Sequence, residues 1–469
     1  MKIALVQTRF KTGDFEFNYK NIAEKIEDIS ADLIVAPQAG LEDFGGKDLL
    51  LDEKANQAQS DMYKKFAANF QNKTILLGDV LIDRGEVSLS ADGFYNISGK
   101  RVFVADFYTN EAECDLYILA KNRYYTMNSY EEFADSIEPS SDFIFVSAVG
   151  MADSNVYAGG SFAKNKFGVP IAQLPLCREG VTYVDFSKQS EFVYEDIEKQ
   201  VLDVTTFALK EYCENTGFKK VVLGLSGGID SALTAAIAVE SLGAENVSGI
   251  LMPSMYSSEG SVTDSLELAA NLGMKTVTEP ITPLFEAFMK GRESKHDLAE
   301  ENLQARLRAL ILMFYSNRAN SLLLSTGNKS ECAMGFGTLY GDMAGGLNLI
   351  CDLTKTNVYK LSNYINKDRE IIPQAIIDKA PSAELHPGQK DQDRLPEYAV
   401  LDDILEMYFE KNIPQDEIYK KYDKSTVDEV IRKTYRMQFK RHQGCLGIRL
   451  TERSFCGGGI DLPVVQRMY

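Results

Sequence analysis

An α/β protein of two domains, the second built around a parallel sheet, is what this chain predicts, and three observations predict it. Short β-branched runs alternate with helical patterns through the first part of the sequence. A charged, mostly polar stretch, Phe186 to Lys199, then leads into an amphipathic segment, Val201 to Tyr212. Beyond it, an apolar run, a glycine-rich turn, a helical pattern and a second apolar run follow in the order of a βαβ unit, which demands parallel strands with helices on both faces.

The runs Ile3–Val6, Leu33–Ala36, Thr74–Ile82, Val102–Ala105, Leu116–Ala120 and Phe143–Val149 read as strands of an α/β layered domain. The polar seam places a boundary near residue 188, giving domains 1–188 and 189–469. In the second, Val221–Leu223 and Val247–Met252 read as strands flanking a helix over Ala232–Leu242. No fixed-period repeat or low-complexity tract interrupts them.

The 469 residues are 45% hydrophobic and 25% charged, an ordinary globular balance with length enough for two or three cores. Fifty Lys and Arg against 68 Asp and Glu leave a formal charge of −18, so the overall field repels nucleic acid and acidic membrane surfaces. An anionic ligand therefore needs a local site. Seven cysteines without a CxxC pair, and three histidines, offer no zinc cluster and suit reduced thiols in a cytoplasm. The opening MKIALVQ is a strand rather than a secretory signal, and no apolar run approaches bilayer length, so a cytoplasmic protein is expected.

The most informative segment is Gly224–Ser231, comprising Gly224, Leu225, Ser226, Gly227, Gly228, Ile229, Asp230 and Ser231, where a strand ends and a helix begins. Its glycines let several N–H groups face one point, Ser226 and Ser231 add hydroxyls, and the helix N-terminus adds partial positive charge. That is a cradle for pyrophosphate. Asp230 suits it only if a divalent cation, magnesium, lies between its carboxylate and the phosphate oxygens. Gly-Gly alone would fit a plain βα turn; the whole Ser-Gly-Gly-x-Asp-Ser pattern favours the phosphate reading.

SGGIDS resembles the signature of the ATP pyrophosphatases, which split ATP into AMP and pyrophosphate to activate an oxygen for replacement. The loop alone leaves open guanylate, argininosuccinate, asparagine and NAD synthetases and the tRNA-thiolating enzymes. Four further stretches, ENLQARLR (301–308), STGNKSECAMGFGTLYGD (325–342), DLTKTNVY (352–359) and PSAEL (381–385), are similar in order and spacing to NAD synthetase. The resemblance implies a doubly wound, adenine nucleotide alpha hydrolase-like domain that adenylates the nicotinate carboxylate of deamido-NAD and lets ammonia displace AMP. It implies Asp230 and Glu331 as magnesium ligands, Lys355 as the cation near the triphosphate, Thr326 as an ATP contact, and Asn302, Arg306, Glu331 and Lys440 as substrate contacts. It also implies a homodimer or larger homo-oligomer.

Taken singly, these are a helix-start Asp, an exposed Glu, solvated Lys residues and a helix-surface Asn/Arg pair. Their joint occurrence in matched motifs sets those readings aside. A different acceptor, another carboxylate or tRNA, keeps the same chemistry, though the acidic charge disfavours tRNA. A scaffold with both halves inactive is the reading from another class.

Residues 1 to about 188 resemble the nitrilase-like amidase domain of glutamine-dependent NAD synthetases, an α-β-β-α sandwich with a Cys nucleophile, a Glu base and a Lys. MKIALVQ, ADLIVAPQAGLEDFGGKDLLL and AGGSFAKNKFG carry the likeness. Where that family has Pro-Glu, this chain has Pro37-Gln38, and an amide cannot take a proton from a thiol. Where the family has the nucleophile, this chain has Val104, and the segment for the Lys is deleted between Tyr95 and Lys100. Cys114, the nearest alternative thiol, lacks a base. The expectation is a disabled amidase beside a synthetase that uses free ammonia, or ammonia from a separate glutaminase, with its own use of glutamine as the alternative.

Overall fold

The structure is a computed structural model that describes residues 1–41, 45–109 and 112–468. The chain folds as two compact units, Met1–Val204 and Thr205–Tyr469. The first begins with β1 (Ile3–Gln7), β2 (Arg9–Phe10), α1 (Phe15–Ile26), β3 (Leu33–Ala36) and α2 (Glu53–Asn69). Next come β4 (Thr74–Leu77), β5 (Val80–Asp83), β6 (Glu86–Leu89), β7 (Phe94–Ile97), β8 (Lys100–Ala105) and β9 (Leu116–Ala120). It continues through α3 (Ser129–Ser136), β10 (Asp142–Val146), β11 (Val149–Ala152), β12 (Asn155–Ala158), β13 (Phe162–Lys164), β14 (Pro170–Gln173) and β15 (Gly180–Val184).

Two six-stranded sheets result, ordered β15-β1-β3-β4-β5-β6 and β14-β13-β10-β9-β8-β7. Side chains alternate along a strand, so Ile3 and Leu5 enter one core while Ala4 and Val6 enter another. Ile3, Leu5 and Val35 of one sheet meet Val104, Ile118 and Ile144 of the other between the two. On the outside, α1 and α2 cover the first sheet with Ile22, Ile26 and Phe66. Ala134 of α3 packs with Tyr117, Phe143, Phe145 and Phe162 on the second. This is the α-β-β-α sandwich expected.

Two of the expected strands are broken. Thr74–Ile82 turns at Gly78, φ +63°, into the antiparallel β4–β5 hairpin. Phe143–Val149 leaves its sheet after Val146, where the Ser147 N–H donates to Ser161 Oγ (3.0 Å) and the Ala148 N–H to Asn122 Oδ1 (2.7 Å). Continuous β propensity hides both bends, because distant side chains supply the alternative hydrogen bonds. Within the amidase-like loop pattern, Glu42, Asp43 and Phe44 lie outside the described residues. Among the described residues no helix is long and apolar enough to cross a membrane.

The division between units falls inside α4 (Ile197–Thr216). The second unit then runs β16 (Val221–Leu225), α5 (Ile229–Leu242), β17 (Val247–Leu251), α6 (Glu259–Leu272), β18 (Lys275–Thr278), α7 (Thr282–Met289), α8 (Leu298–Ala319) and β19 (Leu322–Ser325). After it come α9 (Lys329–Met334), β20 (Leu347–Asn348), α10 (Lys355–Ile365), α11 (Gln374–Asp378), α12 (Tyr398–Leu405), α13 (Gln415–Ile418), α14 (Lys424–Arg436) and α15 (Gln438–Arg441). The sheet order is β18-β17-β16-β19-β20, with every pairing parallel. The chain winds outward from β16 to β18, then crosses back through α8 to start β19 on the other side. That reversal opens a crevice at the carboxyl ends of β16 and β19, the place where open parallel sheets bind ligands.

Beyond the sheet, α9, α12 and α14 share an apolar core around Met334, Leu401, Ile404 and Ile431. Within it Lys329, fully buried, lies between Asp352 Oδ1 (2.9 Å) and Glu410 Oε1 (2.8 Å). Glu410 belongs to a π-helical turn, Glu406–Glu410, that extends α12. Removing the ammonium leaves carboxylates without their counter-charge, a loss of about 3–5 kcal/mol for a buried pair. Lys329→Met should therefore lower the urea-unfolding free energy by that order, whereas Lys64→Met, at an exposed pair with Asp61, should change it by less than about 1 kcal/mol.

Candidate active site

The phosphate-type loop is shaped by contacts on both sides. Gly227 has φ +77°, and a Cβ there would stand 2.5 Å from the Ser261 carbonyl oxygen, so only glycine lets the turn lie against the start of α6. Gly228 caps α5. The loop is braced from within: the Ser226 N–H donates to Ser231 Oγ (3.3 Å), the Gly228 N–H to Ser226 Oγ (3.2 Å), and the Ser231 hydroxyl to the Gly228 carbonyl (2.9 Å). Ser226 and Ser231 thus brace the turn from within, their hydroxyls also linked to each other (3.1 Å).

Asp230 stands in the first turn of α5. Its Oδ1 accepts from Asn328 Nδ2 (2.9 Å) and its Oδ2 from Lys355 Nζ (2.5 Å). Lys355 also reaches Glu331 Oε1 at 3.4 Å. Glu331 is fixed by a capping box: its N–H donates to Asn328 Oδ1 (3.0 Å), and the Asn328 N–H returns to Glu331 Oε2 (3.2 Å). Burial, with Asp230 adding repulsion, pushes the Glu331 carboxyl up to about 8. Burial works against the Lys355 charge, but Asp230 and Glu331 outweigh it and hold the ammonium well above its usual range.

These groups line a cavity of about 390 Å³ at the crevice. It collects Gly224, Leu225, Ser226, Gly227, Gly228, Ile229, Asp230, Ser231, Thr326, Asn302, Glu331, Lys355 and Lys440, every residue assigned to the synthetase site from sequence except Arg306. Thr326 follows β19 directly. Asn302 Oδ1 accepts from the Thr338 hydroxyl (2.8 Å). Lys440 donates to the carbonyls of Gly335 (2.8 Å) and Gly337 (2.7 Å), and burial lowers its ammonium. Its neighbour Arg441 is spent on backbone, donating to the Cys332, Ala333 and Thr434 carbonyls. Arg306 is exposed and donates from Nε to the Leu339 carbonyl (3.2 Å). On the same helix Phe314 is 53% exposed, whereas Ile311 is buried.

Sequence reasoning missed several lining residues. Arg308 and Arg394 enter the cavity, the latter paired with Glu301 (3.0 Å). Glu384 accepts from the hydroxyls of Ser258 (2.9 Å) and Ser261 (2.7 Å) and pairs with Lys379 (3.2 Å). Asp391 accepts from the Tyr398 hydroxyl through Oδ2 (2.7 Å), while its buried Oδ1 has no partner. The 3.6-residue spacing of α8 and the PSAEL motif carried the signal for Arg308 and Glu384.

Among the described residues no three acidic, histidine or cysteine side chains converge as a cation site. Asp230 and Glu331 fit a hard cation in a different way: two carboxylate sources on a pocket wall, short of negative-charge compensation, with remaining positions open to phosphate oxygens and water.

In the first unit, Gln38 follows β3 with its buried Oε1 unpartnered among the described residues, and Gly78 of the β4–β5 turn lies against it. Val104 is 5% exposed in the inter-sheet core. Cys114 is partly buried beside Ser141 Oγ (3.4 Å), and burial raises its thiol above the usual range. Neither an amide, an isopropyl group nor a thiol so held is an activated nucleophile or base.

Residues 201–444 match the model of the NAD synthase family. The chain is 32% identical to the glutamine-dependent NAD(+) synthetase of Thermotoga maritima, covering all of this chain and 99% of that protein. The chain belongs to the NAD synthase family. It is also 43% identical to the glutamine-dependent NAD(+) synthetase of Synechocystis over 70% of this chain, and spans 61% of that relative's length. The glutamine-dependent NAD+ synthetase of Acinetobacter baumannii, solved with ADP, superposes with a TM-score of 0.76 at 29% identity, covering 99% of this chain and 98% of that one. That of Cytophaga hutchinsonii shares the fold at a TM-score of 0.84 and 18% identity, with the same two coverages.

In this NAD synthase relative, Gly227→Ala should cost about 1–3 kcal/mol for the left-handed backbone alone, and more for the contact with Ser261. Chemical denaturation should show a larger loss than for Gly217→Ala, where φ is also positive but no atom lies within 4 Å of the added Cβ.

Proposed function

We propose that this chain makes NAD from deamido-NAD and ATP, releasing AMP and pyrophosphate, with ammonia as the direct nitrogen donor. The observation that carries the reading is the convergence of Asp230, Glu331 and Lys355 on a glycine turn at the sheet's switch point. A carboxylate is a poor electrophile, so its oxygen first attacks the α-phosphorus of ATP and pyrophosphate leaves. Ammonia then adds at the activated carbonyl carbon and AMP departs. Negative charge builds on phosphoryl oxygens in the first step, and fixed cations lower that barrier most.

Lys355 supplies one such cation, held in place by its two carboxylates rather than free to rotate. Asp230 and Glu331 would hold magnesium, which when bound neutralises charge on the triphosphate. The α5 N-terminus and the Gly227–Gly228 turn orient the phosphates, and Thr326 at the end of β19 adds a hydroxyl. Asn302 and Lys440 face the same cavity from the side where the dinucleotide would lie.

Gln38 and Val104 favour ammonia over glutamine, since the first unit then lacks both base and nucleophile. The relatives named glutamine-dependent favour a second reading, in which glutamine nitrogen reaches the site from a separate glutaminase or from this chain. An acidic protein working on small anionic ligands suits a cytoplasm, and the exposed Leu310, Met313 and Phe314 on α8 suit assembly into a homodimer or larger homo-oligomer.

AMP and pyrophosphate should appear only when deamido-NAD is present with ATP, and Asp230→Asn should reduce their formation at least a hundredfold. At matched nitrogen, ammonium should support NAD formation by the pure chain and glutamine should not. Robust use of glutamine, lost in Cys114→Ala, would restore the amidase reading.

A further inference from the structure

One face of α8 lines the cavity: Leu298, Glu301, Asn302, Ala305, Arg308 and Leu312, at intervals of three and four residues. Arg306, two positions from Arg308, is turned away from that face. Arg308 donates from Nε to the Met252 carbonyl at the end of β17 (3.2 Å). Among the described residues its terminal nitrogens have no hydrogen-bond acceptor and no carboxylate within ion-pair distance. The acids that influence it, Asp342 and Glu384, are committed elsewhere: Asp342 accepts from the Thr338 N–H (2.8 Å), and Glu384 from Ser258, Ser261 and Lys379. Burial presses the guanidinium down to about 10, the mark of a cation short of compensating charge.

A half-buried guanidinium without an anion gives up part of its hydration for no ion pair, a cost the fold would avoid by moving the side chain into solvent. Its Nε bond to Met252 instead keeps the fork in the cavity, with two nitrogens in the planar arrangement that matches a phosphate. We propose that Arg308 is a binding residue that takes a phosphate oxyanion in this cavity, which the Gly227–Gly228 turn also lines. The inference deepens the function proposed above and rests on it for the ligand's identity: the phosphate belongs either to the triphosphate of ATP or to the diphosphate of deamido-NAD.

Titration calorimetry on the full chain tests this with three probes: inorganic triphosphate, α,β-methylene-ATP with magnesium, and deamido-NAD. Arg308→Met should weaken triphosphate binding at least tenfold, and Arg308→Lys should recover part of it. Loss confined to the ATP analogue assigns the residue to the nucleotide; loss confined to deamido-NAD assigns it to the dinucleotide. The thermal midpoint of the ligand-free Arg308→Met protein should be unchanged or higher, because an uncompensated cation has been removed, and this separates lost binding from lost folding. Equal affinities of wild type and Arg308→Met for all three probes would overturn the proposal. Triphosphate bound through Arg308 with no affinity for deamido-NAD would sink the proposed function while leaving Arg308 as an anion site.

Discussion

The synthetase half depends on one buried ammonium. Lys355 starts α10, Asp230 starts α5 and Glu331 lies in α9, so the contacts of its Nζ tie three helices to one point at the sheet's crevice. None of the three side chains is tolerable there without the others. Burial alone would discharge the lysine; Asp230 and Glu331 together keep it charged, while burial and the repulsion of Asp230 push Glu331 toward its neutral form. A site in that condition is short of positive charge on its carboxylate side. Arg308, which lines the same cavity, is by contrast short of negative charge, so one cavity holds both an acidic wall and a cation without a carboxylate partner among the described residues.

How that arrangement is supported explains much of the surrounding sequence. Ser330 and Lys329, flanking Glu331, are both buried and both bonded inward, Ser330 to Asp402 and Lys329 to Asp352 and Glu410. Asp402 also accepts from the Thr356 N–H (2.8 Å) beside Lys355. The helical layer beyond the sheet therefore acts as a rigid backing for the catalytic helices, with its polar groups locked into the core rather than solvated. The run NKSE is read in full only when the roles alternate: Asn328 and Glu331 serve the cavity, Lys329 and Ser330 serve the support.

Fold and site were unequally legible. The βαβ unit was readable because parallel strands bury both faces and so appear as unbroken apolar runs, and the glycine turn because its backbone demands leave few substitutes. The two bends in the first unit were hidden, since Gly78, Ser147 and Ala148 sit inside runs of high β propensity. At the cavity, motif likeness named the residues that touch most of its walls; on α8 it named Asn302 and Arg306, and of the two arginines of that motif it is Arg308 that lines the cavity. In a helix those two positions face about 200° apart, and only the packing of α8 on β16 and β19 decides which one turns inward. Asp391 lies outside the matched motifs and in no periodic segment, so nothing short of tertiary structure could bring it to the site.

In the first unit, the packing of the sandwich does not depend on a base or a nucleophile. Val104 occupies a core position between two sheets, where an isopropyl group packs with Ile118 and Ile144 as well as or better than a thiol would. Gln38 keeps the shape of a glutamate beside the Gly78 turn without asking a buried pocket to hold a charge. Both exchanges remove reactive or costly groups and leave the inter-sheet core, the outer helices and the strand register intact. Stability of the sandwich comes from the alternating apolar faces of its twelve principal strands, none of which requires a base or a nucleophile. With an amide at Gln38 and an isopropyl group at Val104, the packing of the two sheets is therefore satisfied without a charged or reactive side chain at either position.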